Sequence, residues 1–254
     1  MPSPGEFAGR VALVTGGAGA AIGSTTCRTL ASYGASIVVL DVHGRRTDAM
    51  VAELRETYGV EAMGAVVDVA DRAGVDSALA RVTDQLGSVD ILVNSAAVNV
   101  QGSIFDYDPA DWDRVLDVAL SACWYLNRRT VGAMRDRGWG AIVNVTSVAA
   151  YIGGNGREGP YASAKAALND LTRGVAIEGG PHGIRCNAVA PGLIDSKWVQ
   201  AQAERYQSFI DDTPLRRHGR PEDVANTIAF LVSEESAHIT GQVLNVSGGW
   251  YLTP

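Results

Sequence analysis

Tyr161 and Lys165 stand four residues apart in the run Tyr-Ala-Ser-Ala-Lys, and Lys165 is one of only two lysines beside nineteen arginines. In so arginine-rich a chain, a lysine marks a place that needs a compact charge on a flexible stem rather than a guanidinium fork. Such an ammonium can reach a neighbouring phenol and a sugar hydroxyl together. On a helix, residues four apart share a face, so the two side chains meet. A free phenol ionises near pH ~10, and a tyrosine acting as a general base near neutrality needs about 4 kcal/mol of differential stabilisation. A nearby ammonium and a cationic cofactor are expected to supply it together. Taken alone, Tyr-x-x-x-Lys fits a helix with a buried tyrosine and a solvated lysine better than a catalytic pair, so the surrounding chain must decide.

A scaffold has to hold that pair, and 254 residues are enough for one large α/β domain spanning 1–254. Short β-rich runs at 11–15, 36–41, 62–67, 91–94, 141–146, 184–189 and 243–246 alternate with helical periodicity at 49–58, 75–86, 112–137, 161–178 and 222–233. Strands that alternate with helices pair in parallel through right-handed crossovers. Several of these runs are apolar on both faces, as strands covered from both sides should be. The expected fold is α/β and doubly wound, with a seven-stranded parallel sheet flanked by helices. Pro109 and Pro221 fall near the first turns of two helices. The segment 193–214 departs from the alternation, and with Trp198, Tyr206, Phe209 and Ile210 it reads either as a substrate flap or as a plain surface helix pair.

The first strand runs into Thr15-Gly16-Gly17-Ala18-Gly19-Ala20-Ala21-Ile22-Gly23 and then into a helix. Small residues there let the backbone approach a pyrophosphate, and the helix N-terminus offers unpaired N–H groups and a favourable dipole. Gly16, Gly19, Ile22 and Gly23 are therefore candidate dinucleotide-binding residues. Asp41, at the end of the second strand, is placed to accept hydrogen bonds from the adenosine ribose and to repel a 2'-phosphate, which favours NAD over NADP. Arg45 and Arg46 lie close by and would suit the phosphate instead. Asp68, with Val69 beyond it, follows the third strand, where its carboxylate meets the adenine edge or caps the next loop.

A net charge of -7 with dispersed arginines argues against nucleic acid as a partner, and Arg216-Arg217-His218 reads as a solvated loop. The N-terminus carries neither a basic nor an apolar region, and no apolar run approaches the ~18 residues of a membrane span, so a soluble, cytoplasmic protein is expected. Cys27, Cys123 and Cys186 are odd in number, far apart and set among apolar residues, which favours reduced core thiols over disulfides or a metal site.

With these residues in place, the chain resembles the short-chain dehydrogenase/reductase family along nearly its whole length, and within it the 3-oxoacyl-carrier-protein reductase type. Thr15-Gly16 with Gly23 is similar to the family's glycine-rich turn, and Asn94-Ser95-Ala96-Ala97 to its Asn-Asn-Ala-Gly. Asn144-Val145-Thr146-Ser147 ends on what resembles the active-site serine, and Tyr161 and Lys165 follow in order. Asn187-Ala188-Val189-Ala190-Pro191-Gly192 resembles the loop beside the nicotinamide, Ile194-Asp195-Ser196 the Ile-x-Thr that holds the carboxamide, and Gly241-Gln242 to Gly248-Gly249 the closing strand. The resemblance implies one Rossmann domain binding NAD, in which Ser147 hydrogen-bonds the substrate oxygen and Tyr161 transfers the proton. Lys165 would bind the nicotinamide ribose and lower the tyrosine pKa, while Asn94, Pro191, Gly192, Ile194 and Ser196 join the cofactor residues. It further implies a homotetramer that interconverts a small secondary alcohol and its ketone.

Three departures bear on that reading. The glycine turn is one residue longer than the usual Thr-Gly-x-x-x-Gly-x-Gly, and Ala21 stands in place of its middle glycine. Asn94-Ser95-Ala96-Ala97 replaces two of the four motif residues with small ones. Ala119 stands where the family usually has an asparagine that helps hold a proton-relay water, so slower or altered proton exchange is expected. An NADP-dependent 3-oxoacyl thioester reductase is the alternative enzyme, and a non-catalytic dinucleotide sensor or assembly subunit, supported by Ala119, the alternative of another class. Trp198, Tyr151 and Phe209 point to a partly apolar pocket, and the terminal Trp250-Tyr251 pair reaches a neighbouring subunit or packs on its own chain.

Overall fold

The computed structural model describes residues 1–200 and 203–252, without the side chains of residues 197, 198 and 203–206. Among the described residues seven strands form one sheet: β1 (Val11–Thr15), β2 (Ser36–Asp41), β3 (Ala62–Val66), β4 (Ile91–Asn94), β5 (Gly140–Val145), β6 (Ile184–Pro191) and β7 (Val243–Val246). All neighbours pair in parallel, in the order β3-β2-β1-β4-β5-β6-β7. The doubly wound seven-stranded expectation is met. The sixth strand runs further than its apolar stretch, because Pro191 still pairs with Val246 at the strand's end, where a missing N–H costs little.

Side chains alternate between the two sheet faces, as the pleat requires. Ala12 and Val14 of β1 join Ile37 and Val39 of β2 in one buried layer, and Val11 and Leu13 join Val38 and Leu40 in the other. The first layer is covered by α1 (Ile22–Ser32), α2 (Gly44–Tyr58) and, from later in the chain, α10 (Pro221–Val232), through Leu30, Leu54 and Ile228. The second lies under α3 (Arg72–Leu86) and α5 (Ala122–Arg137), through Val75, Val82 and Leu126. Helix starts follow local chemistry: the Asp71 carboxylate accepts from Gly74 N–H at 3.1 Å at the head of α3. Asp108 accepts from Ala110 N–H at 2.8 Å ahead of α4 (Pro109–Leu116), whose first-turn proline has no N–H to leave unpaired.

The periodicity expected over 112–137 is not one helix. After α4, residues Asp117–Ser121 form a π-helical turn before α5 resumes the α-helix. A single π turn adds one residue without breaking the apolar stripe, so a pattern of buried positions passes through it unaltered. Next come α6 (Ala149–Ile152) and α7 (Gly159–Gly179), which carries Tyr161 and Lys165. The segment 193–214 contains α8 (Lys197–Gln200) and α9 (Ala203–Asp212), with Ile194 bridged to Gly219. The side chains of Trp198 and Tyr206 lie outside the described residues. Phe209 meets Trp250 with ring centroids 4.9 Å apart, and Tyr251 stacks on Tyr151 at 4.7 Å, so the Trp250-Tyr251 pair packs on its own chain. The three cysteines are buried and unpaired. Among the described residues no helix is long and apolar enough to cross a membrane.

Candidate active site

β1 and β4 are neighbours in the sheet but not in sequence, so the connections that leave them diverge and open a crevice at their carboxyl ends. A cleft of about 490 Å³ occupies that position. Gly16, Gly19, Ile22 and Gly23 line one end, Asp41, Asp68 and Val69 stand near them, and Ser147, Tyr161, Lys165, Pro191, Gly192 and Ile194 complete the other.

The glycine turn is held by the backbone around it. Gly16 has φ +64°, and a Cβ there would sit 3.1 Å from Ala96 Cα. At Gly23 a Cβ would overlap the carbonyl oxygen of Gly16, so no larger residue fits without moving the turn. Helix α1 begins at Ile22 with no side-chain cap on its first N–H groups, the donors a phosphate would take. Ala21 lines the cleft immediately ahead of α1. The Thr15 hydroxyl accepts from Ser95 N–H at 2.9 Å and Ala96 N–H at 3.0 Å, tying the exit of β4 to that of β1. These observations fit a dinucleotide pyrophosphate.

Asp41 is only 6% exposed, and its two oxygens accept from Ala18 N–H at 3.1 Å and His43 N–H at 3.0 Å. The carboxylate is thus locked at the cleft wall with lone pairs left to accept from a ribose. Of the two arginines beside it, Arg46 lines the cleft. Asp68 makes the loop cap expected of it and stands at the cleft. It lines the cleft, and it caps its loop by accepting from Ala70 N–H at 3.0 Å. Burial pushes its carboxyl up, but the Arg114 guanidinium at 2.7 Å and the Ala70 N–H outweigh that and hold it below the usual carboxylate range.

The sequence pattern alone allowed a solvated lysine at position 165, and the structure shows the opposite. Lys165 is 1% exposed, and its Nζ donates to the Val145 carbonyl at 2.7 Å, beneath the cleft floor. It lies 5.5 Å from the centroid of the Tyr161 ring, over its face. Ser147 Oγ accepts from Ala149 N–H at 3.1 Å, and its hydroxyl shares the cleft with the Tyr161 phenol, near enough to draw the phenol's pKa down. Serine, tyrosine and lysine are therefore brought together.

Their electrostatics differ from the expectation in one respect. Burial pushes the Tyr161 phenol up to about 12, the Glu158 carboxylate pushes it the same way, and only the Ser147 hydroxyl opposes them. Burial lowers the pKa of Lys165, with the charge of Cys123 acting against that. An ammonium over the ring face, spent on a carbonyl, does not by itself acidify the phenol. In the chain alone Tyr161 is a protonated acid at neutral pH.

Two expected cofactor residues stand off the cleft. Asn94 is 1% exposed, and its Nδ2 donates to Asn127 Oδ1 at 3.0 Å and to Asn144 Oδ1 at 2.8 Å. Asn144 in turn donates to the Thr172 hydroxyl at 2.9 Å. This buried amide chain pins β4 and β5 to α5 and α7 under the site. Asn144 enters the sequence pattern only as part of the serine motif, and Asn127 and Thr172 do not enter it, because a polar residue on a helix or strand shows no partner until the elements meet. Ser196 accepts from Val199 N–H at 3.2 Å and so heads α8 rather than lining the cleft. Ala119 is fully buried inside the π turn. A second chamber of about 490 Å³ shares Ser147 and Tyr161 with the cleft and is walled by Phe209 and Trp250. Tyr151, expected there, is instead held against Tyr251.

Residues 17–251 match the family model described as enoyl-(acyl carrier protein) reductase. The chain is 38% identical over 241 residues to the (2S)-[(R)-hydroxy(phenyl)methyl]succinyl-CoA dehydrogenase subunit BbsD of Thauera aromatica, covering 94% of this chain and 96% of that one. It is 34% identical over 249 residues to the 3-oxoacyl-[acyl-carrier-protein] reductase FabG of Escherichia coli (strain K12), covering 97% and 99%. The crystal structure of gox2181 aligns with a TM-score of 0.91 at 31% identity over 96% of each chain. Likeness of this extent, in sequence as in fold, means that the chain belongs to the short-chain dehydrogenase/reductase family, among the sequences resembling 3-oxoacyl-acyl-carrier-protein reductases.

Proposed function

We propose that this protein is a NAD-dependent oxidoreductase that interconverts a secondary alcohol and a ketone, with Tyr161 as the general acid and base. The observation that carries the reading is the burial of Lys165, 1% exposed, against the ring of a tyrosine that shares the cleft with Ser147. A buried ammonium is costly, and a fold that keeps one beside two hydroxyls at a cleft has a use for it. When bound, the nicotinamide dinucleotide exchanges a hydride with the carbinol carbon. Ser147 hydrogen-bonds the substrate oxygen and orients it toward the phenol. Tyr161 gives its proton to that oxygen as the ketone is reduced, the direction suited by a phenol that stays protonated at neutral pH. Lys165 holds the ribose and supplies the positive charge that the phenolate needs in the reverse direction.

Asp41 at the cleft wall supports NAD, since a 2'-phosphate would meet its carboxylate. Arg46 in the same cleft supports the second reading, an NADP-dependent reduction of a 3-oxoacyl thioester. Exposed apolar side chains on α5 and α7, Trp124 and Ile177, support a homotetramer, which size-exclusion chromatography with light scattering would test. Titration of tryptophan fluorescence with each dinucleotide, followed by a screen of secondary alcohols and 3-oxoacyl thioesters at the NADH and NADPH absorbance, tests the whole reading. NAD binding with alcohol or ketone turnover supports it. NADP binding with thioester turnover transfers the assignment to the second reading. Binding of either dinucleotide without turnover of any carbonyl would leave the non-catalytic sensor.

A further inference from the structure

The second chamber contains a carboxylate that the proposed chemistry does not use. Glu158 lines it three residues before Tyr161, at the head of α7. Its Oε1 accepts from Asn99 Nδ2 at 2.7 Å and from Gln101 Nε2 at 3.1 Å, and both amides line the same chamber. The two walls are also tied to each other. The Tyr107 hydroxyl sits 2.9 Å from the Val100 carbonyl and 2.8 Å from the Arg157 carbonyl, which also accepts from Gly102 N–H at 2.9 Å. Gly154, at φ +60°, lies under the stem of Glu158, where a Cβ would come within 2.7 Å of Glu158 Cβ.

Asn99, Gln101 and the close backbone of Gly154 thus fix this side chain, yet its charge is not neutralised. Among the described residues Glu158 forms no ion pair, and its Oε2 has no hydrogen-bond partner. Arg157 lines the chamber from its exposed side, while Glu158 is half-buried. A positioned acceptor with a free oxygen beside the catalytic phenol selects a donor and repels an anion.

We propose that Glu158 is the specificity-determining residue of the chamber. It accepts a hydrogen bond from a hydroxyl close to the reacting carbonyl and turns away ketones that carry a carboxylate there. The substrate class is a neutral hydroxyketone or the corresponding diol. This rests on the oxidoreductase reading above.

The test compares kcat/KM for 3-hydroxybutan-2-one, butan-2-one and 2-oxobutanoate, with NADH and NADPH each supplied, in wild type, Glu158→Gln and Glu158→Leu. Wild type is expected to prefer the hydroxyketone to butan-2-one by about ten-fold or more, because a half-buried, positioned acceptor favours the substrate that brings its donor over the analogue that lacks it. Glu158→Leu should collapse that ratio toward one. Glu158→Gln, which keeps shape and an acceptor but not the charge, should retain part of it and raise the rate on 2-oxobutanoate about ten-fold relative to the hydroxyketone. This isosteric variant also carries the test if the leucine variant does not fold. Equal losses on all three substrates, an unchanged ratio, or a wild-type preference for butan-2-one would overturn the assignment of Glu158 alone. Absence of turnover on any carbonyl, with dinucleotide binding intact, would overturn the oxidoreductase reading and this one with it.

Discussion

Gly23→Ala puts a methyl group against the carbonyl of Gly16, with the carbonyl carbon at 2.8 Å and Gly17 Cα at 3.3 Å behind it. Every one of these atoms is backbone, so no side chain can swing away and the turn itself must move, by about 1 Å. A shift of that size breaks the turn's hydrogen bonds to the phosphate, and two such bonds to a charged group, at about 1.5 kcal/mol each, amount to on the order of 100-fold in affinity. At a dinucleotide concentration ~100 times its dissociation constant, the wild-type chain gains about 2.7 kcal/mol of stability. For a domain of this size that is roughly 5–11 °C in Tm. A 100-fold weaker variant at the same concentration gains about 0.4 kcal/mol, or roughly 1–2 °C. Thermal melts with and without NAD and NADP measure the difference directly. Gly174→Ala is the control: it lies in α7 with nothing within 4 Å of its added Cβ, so it should raise Tm through helix propensity and keep the full ligand shift. A wild-type ligand shift in Gly23→Ala would refute the argument that this turn cradles the pyrophosphate.

Tyr161→Phe should lower kcat by about 10²–10⁴-fold while leaving the ligand-induced Tm shift intact; loss of both would show that the phenol is structural. The same variant tests the electrostatics. The folded phenol ionises only at about 12 and the unfolded one near ~10, so its contribution to stability is complete below pH ~10 and is lost as the pH climbs from there. Wild type should therefore lose about 1.4 kcal/mol more than Tyr161→Phe between pH ~9 and pH ~11 in urea melts, and equal losses would contradict the burial argument. Asp41→Ala removes the acceptor for Ala18 and His43 and the negative charge at the ribose end, so NAD affinity should fall relative to NADP by about ten-fold or more, as read by fluorescence titration. Ala119→Asn places an amide in the buried π turn packed against α7 and should raise turnover; an unchanged rate and pH profile would remove Ala119 from any account of proton exchange.

What could be read in advance was whatever repeats or stays local. Strands buried on both faces announce themselves as apolar runs, and the glycine turn, Asp41, Ser147, Tyr161 and Lys165 sit at strand ends or one helical turn apart. The motif names Asn94 without its partners, so its hydrogen bonds to Asn127 and Asn144, on α5 and β5, could not be read from it. Glu158 drew no reading from the sequence, because what sets it apart is the pair of amides, Asn99 and Gln101, that the fold brings across to it. The π turn left no mark in the periodicity, since one inserted residue shifts the stripe too little to break it. Trp250 entered the chamber through a terminal segment with no repeating pattern. The charge balance at Tyr161 depends on desolvation, which no spacing rule reports.

The strand order carries a consequence for how such a protein changes. Because β1 and β4 lie side by side while their outgoing connections part company, the crevice is a by-product of chain routing and needs no dedicated wall. Its floor is therefore built by the same residues that hold the sheet together, whereas the rim of the adjoining chamber belongs to segments such as 99–101 and 154–158, which contribute nothing to the two buried layers. Alterations at the rim can redirect which molecule is accepted at small thermodynamic cost, while the hydride-transfer apparatus beneath stays under the guard of folding itself.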